Sequence, residues 1–151
     1  MNKISLTVPY IFILLAGSSY AEVSSLCGKE ENAVWSCQTG KKIYSLCASM
    51  PVTETTGYVQ YRAGTKDKIT FNFPATHQHP KGNFEYGLLP QGAFLTFNNG
   101  GYEYRINEPL IGQPIIIVSG KDNTILQCND STQSLTNNAT IDLFRSAGVF
   151  Q

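Results

Sequence analysis

The chain has 151 residues, 42% hydrophobic and only 15% charged, which is one ordinary domain with a modest core. Its 11 Lys and Arg are balanced by 11 Asp and Glu, which argues against nucleic acid or an acidic membrane as a partner, since both select a basic face. Abundant Tyr, Phe, Thr, Asn and Gly point to β structure with turn-rich connections.

Residues 1–21 read as a secretory signal. Met1-Asn2-Lys3 is a short positive start, and residues 4–16 are nearly all apolar but too few to span a bilayer. Gly17-Ser18-Ser19-Tyr20-Ala21 then supplies the small residues of a cleavage site after Ala21. Leu15-Ala16-Gly17-Ser18 resembles a lipoprotein lipid-attachment box with serine in place of the modified cysteine, so the expected product carries no membrane anchor. The remainder, residues 22–151, is expected to be a single disulfide-bonded β domain, periplasmic or secreted.

Cys27, Cys37, Cys47 and Cys128 all survive that cleavage. An even count in a small exported protein reads as disulfides. The ten-residue spacing of the first three does not match the close ligand pairs of a structural zinc site. Four cysteines allow three pairings, and sequence does not choose among them. We favour Cys27–Cys47 with Cys37–Cys128, the second tying the first strands to the last.

In chain order, residues 33–38 and 42–48 flank the turn Thr39-Gly40-Lys41 and form a first hairpin. Residues 58–62 alternate only loosely. Ile69-Thr70-Phe71-Asn72-Phe73 alternates without error, the mark of a half-buried strand. Residues 93–98 and 101–106 form a hairpin around Asn99-Gly100, a type I′ signal. That turn sets Phe97 opposite Tyr102, Leu95 opposite Tyr104 and Ala93 opposite Ile106, with Glu103 and Arg105 toward water. The apolar run Pro114-Ile115-Ile116-Ile117-Val118 suits a strand covered on both faces. Residues 124–128 make a further strand. Residues 139–148 read as a short helix capped by Asn138, with Arg145 near its end and Gly148 stopping it. The fold expected is all-β: an antiparallel sandwich or small barrel of about eight short strands with a short C-terminal helix.

Chemistry-bearing residues are sparse. His77-Gln78-His79 is the one histidine cluster. In an extended segment both rings point to one side, which makes a small metal-dependent hydrolase using His77 and His79 an alternative. Two ligands do not complete a site, no carboxylate partner is identifiable, and Pro74 and Pro80 bracket the segment as an exposed loop. We therefore expect no catalytic residue, no metal and no cofactor. The candidate binding loop is His77, His79, Lys81 and Phe84. A candidate aromatic surface is Tyr58, Tyr61, Tyr102 and Tyr104, since aromatic side chains give contact area at low entropic cost. The plainer alternative is that these rings build a core with their hydroxyls at its rim.

Several stretches together carry a resemblance. They are Ser25-Leu26-Cys27, Ser36-Cys37, Ser45-Leu46-Cys47, residues 57–62, residues 79–87, residues 95–104 and the tail 142–148. As a set they resemble a family of small, uncharacterised, exported (periplasmic or secreted), cysteine-containing proteins of Gram-negative bacteria. The resemblance implies export, cysteine bridges and a β-rich domain, and implies no activity. A looser resemblance is to periplasmic lysozyme inhibitors, whose loops enter the enzyme's cleft. The motif sought is Ser-Gly-x-x-Tyr. Ser119-Gly120-Lys121-Asp122-Asn123 lacks its tyrosine and Thr56-Gly57-Tyr58 has another spacing, so no residue is transferred. The function expected is a non-enzymatic binding protein of the bacterial envelope, its partner an unknown protein or envelope ligand, with lysozyme inhibition as one alternative.

Overall fold

The computed structural model describes residues 25–151; the expected signal, residues 1–21, lies outside the described residues. Among the described residues, ten strands form two antiparallel sheets of five. In the first, β1 (Asn32–Thr39), β2 (Lys42–Ala48), β3 (Val59–Thr65) and β4 (Lys68–Phe73) follow one another. In the second, β5 (Glu85–Leu89), β6 (Gly92–Asn99), β7 (Tyr102–Pro109), β8 (Ile115–Ser119) and β9 (Thr124–Gln127) lie in chain order. The chain then crosses back, and β10 (Asp130–Thr132) joins the free edge of β1. This is a sandwich and not a closed barrel. Two strands exceed the expected set: β5, weakened as a signal by Gly87 at its centre, and β10, three polar residues with no apolar member.

The inner faces follow from period-two alternation. Trp35, Tyr44, Leu46, Val59 and Tyr61 from the first sheet meet Tyr86, Leu95, Phe97, Ile106 and Ile116 from the second in one buried cluster. Rings run through its middle: Phe97 lies parallel to Tyr104 at 4.7 Å and to Phe73 at 4.5 Å, and Phe84 meets both Phe73 and Phe97 edge-on. The outer face of the first sheet is covered as well. Ser36, Ser45, Gln60 and Arg62 are buried there. The segment leading into β1 lies over this face, with the Leu26 amide donating to Ser45 Oγ and the Arg62 guanidinium donating to the Leu26 carbonyl. Buried polar atoms on this face are thereby paired, as burial requires.

Both favoured disulfides are formed, Cys27–Cys47 and Cys37–Cys128. The first fastens the covering segment to β2. The second fastens β1 to the crossing between the sheets. Bridges of this kind fit an oxidising compartment outside the cytoplasm. Among the described residues, no helix is long and apolar enough to cross a membrane.

Three local expectations are corrected. The hairpin between β6 and β7 turns on Gly100-Gly101, at φ of 58° and 81°, so Phe97 opposes Tyr104, Leu95 opposes Ile106 and Ala93 opposes Glu108. Two glycines enter the left-handed region with no Cβ penalty, which displaces the turn by one residue and the pairing by two. A shift of two preserves the face of every side chain, so the apolar stripe survives. In β8 only Ile116 is buried; Ile115 and Ile117 face outward, half-buried, beside Arg105, whose guanidinium lies 4.3 Å from the Phe94 ring centroid. An antiparallel sheet tolerates one uncovered face. The helix α1 (Asn138–Ser146) is capped by Asn137, whose side chain accepts the Thr140 amide. Its end is as expected: Gly148 takes φ of 66°, and the amides of Gly148 and Val149 close on the Arg145 and Phe144 carbonyls. Phe144 then stacks on Tyr86, 4.5 Å between centroids, and holds the helix on the second sheet.

Candidate functional site

Residues 74–84 link β4 of the first sheet to β5 of the second. They form no regular element, yet side chains fix them along their length. Gln60 Nε2 donates to the Pro74 carbonyl at 2.8 Å. The His77 ring lies flat on Tyr58, 3.8 Å between centroids and 7° between planes. His79 Nε2 donates to the Thr53 carbonyl at 2.9 Å, while its Nδ1 accepts the Lys81 amide at 3.3 Å. A carbonyl only accepts, so Nε2 is the donor there, and both ring nitrogens are committed to backbone. Asn83 Nδ2 donates to the His79 carbonyl, and the amides of Asn83 and Phe84 converge on the Pro80 carbonyl.

Beneath His77 lies an ion pair. Arg62 Nη1 and Nη2 donate to the two oxygens of Glu31 at 2.6 and 2.7 Å, with both side chains about nine-tenths buried. Arg62 Nε donates to Gln60 Oε1, and the Tyr58 hydroxyl donates to Glu31 Oε1 at 2.7 Å. Burial pushes the Glu31 carboxyl up, but hydrogen bonds from Arg62, Tyr58 and the Gly28 amide outweigh it and bring the pKa down to about 2. The bond to Glu31 in turn raises the Tyr58 hydroxyl. His77 Nε2 approaches Arg62 Nη2 at 3.4 Å and Glu31 Oε1 at 4.0 Å. Both terminal guanidinium nitrogens are bound to Glu31 and Nε to Gln60, so the cluster is a brace for the loop and not an anion receptor.

At the end of the same segment, a cleft of about 510 Å³ opens between residues 81–85, the outer end of β6 and the C-terminal tail. Lys81, Asn83, Glu85 and Asn98 line it with the half-buried rings of Phe73 and Phe150. Among the described residues, the side chains of Lys81, Glu85 and Asn98 make no hydrogen bond or ion pair with the rest of the chain. The tail reaches the cleft by pairing with β5: Phe150 bridges Tyr86 in parallel, and the Gln151 amide donates to the Tyr86 carbonyl at 3.0 Å.

The residues singled out in the sequence are divided by this geometry. His77 is exposed and belongs to the brace; His79 is a strut; Lys81 lines the cleft. Phe84 is not a surface residue: it is 4% exposed, its ring turned into the core. The aromatic set does not share one surface. Tyr61 is 2% exposed and burial raises its hydroxyl well above the ordinary range. Tyr104 is half-buried against Phe97 and Phe71. Tyr58 stands on the opposite face of β3 from Tyr61, with Glu31 and His77, and Tyr102 lies over Gly120 at the hairpin end. Alternation along Val59–Ala63 explains the split, since successive side chains take opposite faces. Among the described residues, no group of three or more His, Cys, Asp or Glu is placed to hold a metal ion.

Glu31, Arg62, Glu85, Asn98 and Phe150 were not foreseen as site residues. Arg62 carried a signal, a charge inside a strand whose neighbours Tyr61 and Ala63 point inward. Its partner, 31 residues upstream, carried none. No family model matches the chain, and no curated protein or solved structure matches it.

Proposed function

We propose that this chain is an exported, non-enzymatic binding protein of the bacterial envelope, periplasmic or secreted, that takes an envelope ligand into the cleft beside residues 81–85. The observation that carries this reading is a set of polar side chains without partners among the described residues, Lys81, Glu85 and Asn98, lining a cleft whose wall is pinned by its own loop's hydrogen bonds. A wall fixed by His79, Asn83 and the Pro80 carbonyl loses little freedom on binding, so more of the contact energy appears as affinity. The volume lies within the range of small-molecule sites. Export is supported by two disulfides and by the pattern of residues 1–21.

The test is equilibrium dialysis of the oxidised protein against the low-molecular-weight fraction of a periplasmic extract, read by mass spectrometry. Wild type concentrates a species that the Lys81→Ala/Asn98→Ala variant does not. Identical profiles for the two proteins would overturn the assignment of the cleft.

A further inference from the structure

The chemistry of the cleft narrows its ligand. Lys81 and Glu85 are its two ionisable side chains and are opposite in sign, so neither a free anion nor a free cation is favoured. Around them stand Asn98, able to donate and accept, Asn83, whose Oδ1 is left to accept while its Nδ2 donates to the His79 carbonyl, and the hydroxyl of Thr96. This mixed set matches groups that themselves donate and accept, as sugar hydroxyls do. Phe73 and Phe150 add half-buried apolar surface for the C–H groups of a sugar; Phe97 covers one face of the Phe73 ring, and the Arg145 guanidinium lies 5.1 Å from the Phe150 ring centroid. An extended peptide is the competing occupant, but it would need a free strand edge to bind by added pairing. Of the two edge strands that reach the cleft, β5 is already occupied at Tyr86 by Phe150 and Gln151, and β4 brings only its last residue, Phe73, to the lining.

We infer that the cleft binds a short neutral oligosaccharide, its C–H groups against Phe73 and Phe150 and its hydroxyls on Glu85 and Asn98. This rests on the binding reading above and adds the ligand class. The test titrates the oxidised protein with chitotriose and with cellotriose by calorimetry, with backbone amide NMR as a map. The two saccharides separate an amino-sugar wall glycan from a plain hexose polymer. At least one binds, shifts the amides of Asn83, Asn98 and Phe150, and is weakened tenfold or more in Asn98→Ala and in Glu85→Ala. Both positions are exposed, so both variants keep the wild-type melting temperature within a few degrees. If neither saccharide binds but a tripeptide or a dicarboxylate shifts the same amides, the ligand class is wrong and the binding site stands. Silence from every probe would remove both.

Discussion

Glu31 and Arg62 show how one pair organises a surface. The Glu31 carboxyl is held at about 2 against an ordinary 4.5. A depressed folded pKa contributes stability that is complete above the ordinary value and is lost as the pH falls through the folded one. The contribution is on the order of 3 kcal/mol. We therefore expect the stability gap between wild type and Glu31→Gln to narrow as pH falls from 4.5 to 2, read from urea midpoints. At neutral pH the same substitution leaves Arg62 buried without its counter-charge and costs about 3–5 kcal/mol. His79→Ala is milder. It removes the strut to Thr53, costs about 1 kcal/mol, and speeds amide exchange in residues 81–84 more than in β6. Little of this was legible beforehand. His77, His79 and Lys81 drew notice as a loop cluster. What they do depends on Thr53, Tyr58 and Glu31, which only the packed fold brings near.

Elements were far more legible than their contacts. Strict alternation marked β4, and the glycine-containing turn marked the hairpin of β6 and β7, because period and turn chemistry are local properties of the chain. The register erred by two because Asn99-Gly100 and Gly100-Gly101 both satisfy a type I′ turn. Neighbouring rings decide between them: Phe97 stacks on Tyr104 and not on Tyr102. β5 and β10 were missed because one is split by glycine and the other is wholly polar, so each owes its conformation to the strand beside it. Substitution at the turn tests the observed register. Gly101→Ala, at φ of 81°, lowers stability by about 1 kcal/mol, while Gly100→Asn is close to neutral, as thermal melts would register.

For the whole molecule, two disulfides of unequal span hold the sandwich. Cys37–Cys128 closes 91 residues and joins β1 to the crossing between sheets, whereas Cys27–Cys47 closes 20 and fixes the covering segment. Constraint of the unfolded chain grows with loop length, about 3 kcal/mol for the shorter and between 4 and 5 for the longer by that rule, roughly. Paired serine substitution should thus cost more at Cys37 and Cys128 than at Cys27 and Cys47, measured by denaturant unfolding. Loss of the shorter bridge should further loosen the segment over Arg62 and, through Glu31, the brace under His77. The disulfides that make the protein rigid would then also hold the irregular wall beside the open cleft.

That union is tested most directly by amide NMR of the oxidised protein during a screen of chemically diverse small fragments. The account predicts shifts gathered at residues 81–85, 96–98 and 148–151. Shifts gathered instead around Phe94, Arg105 and Ile117 on the outer face of the second sheet, or none anywhere, would contradict it.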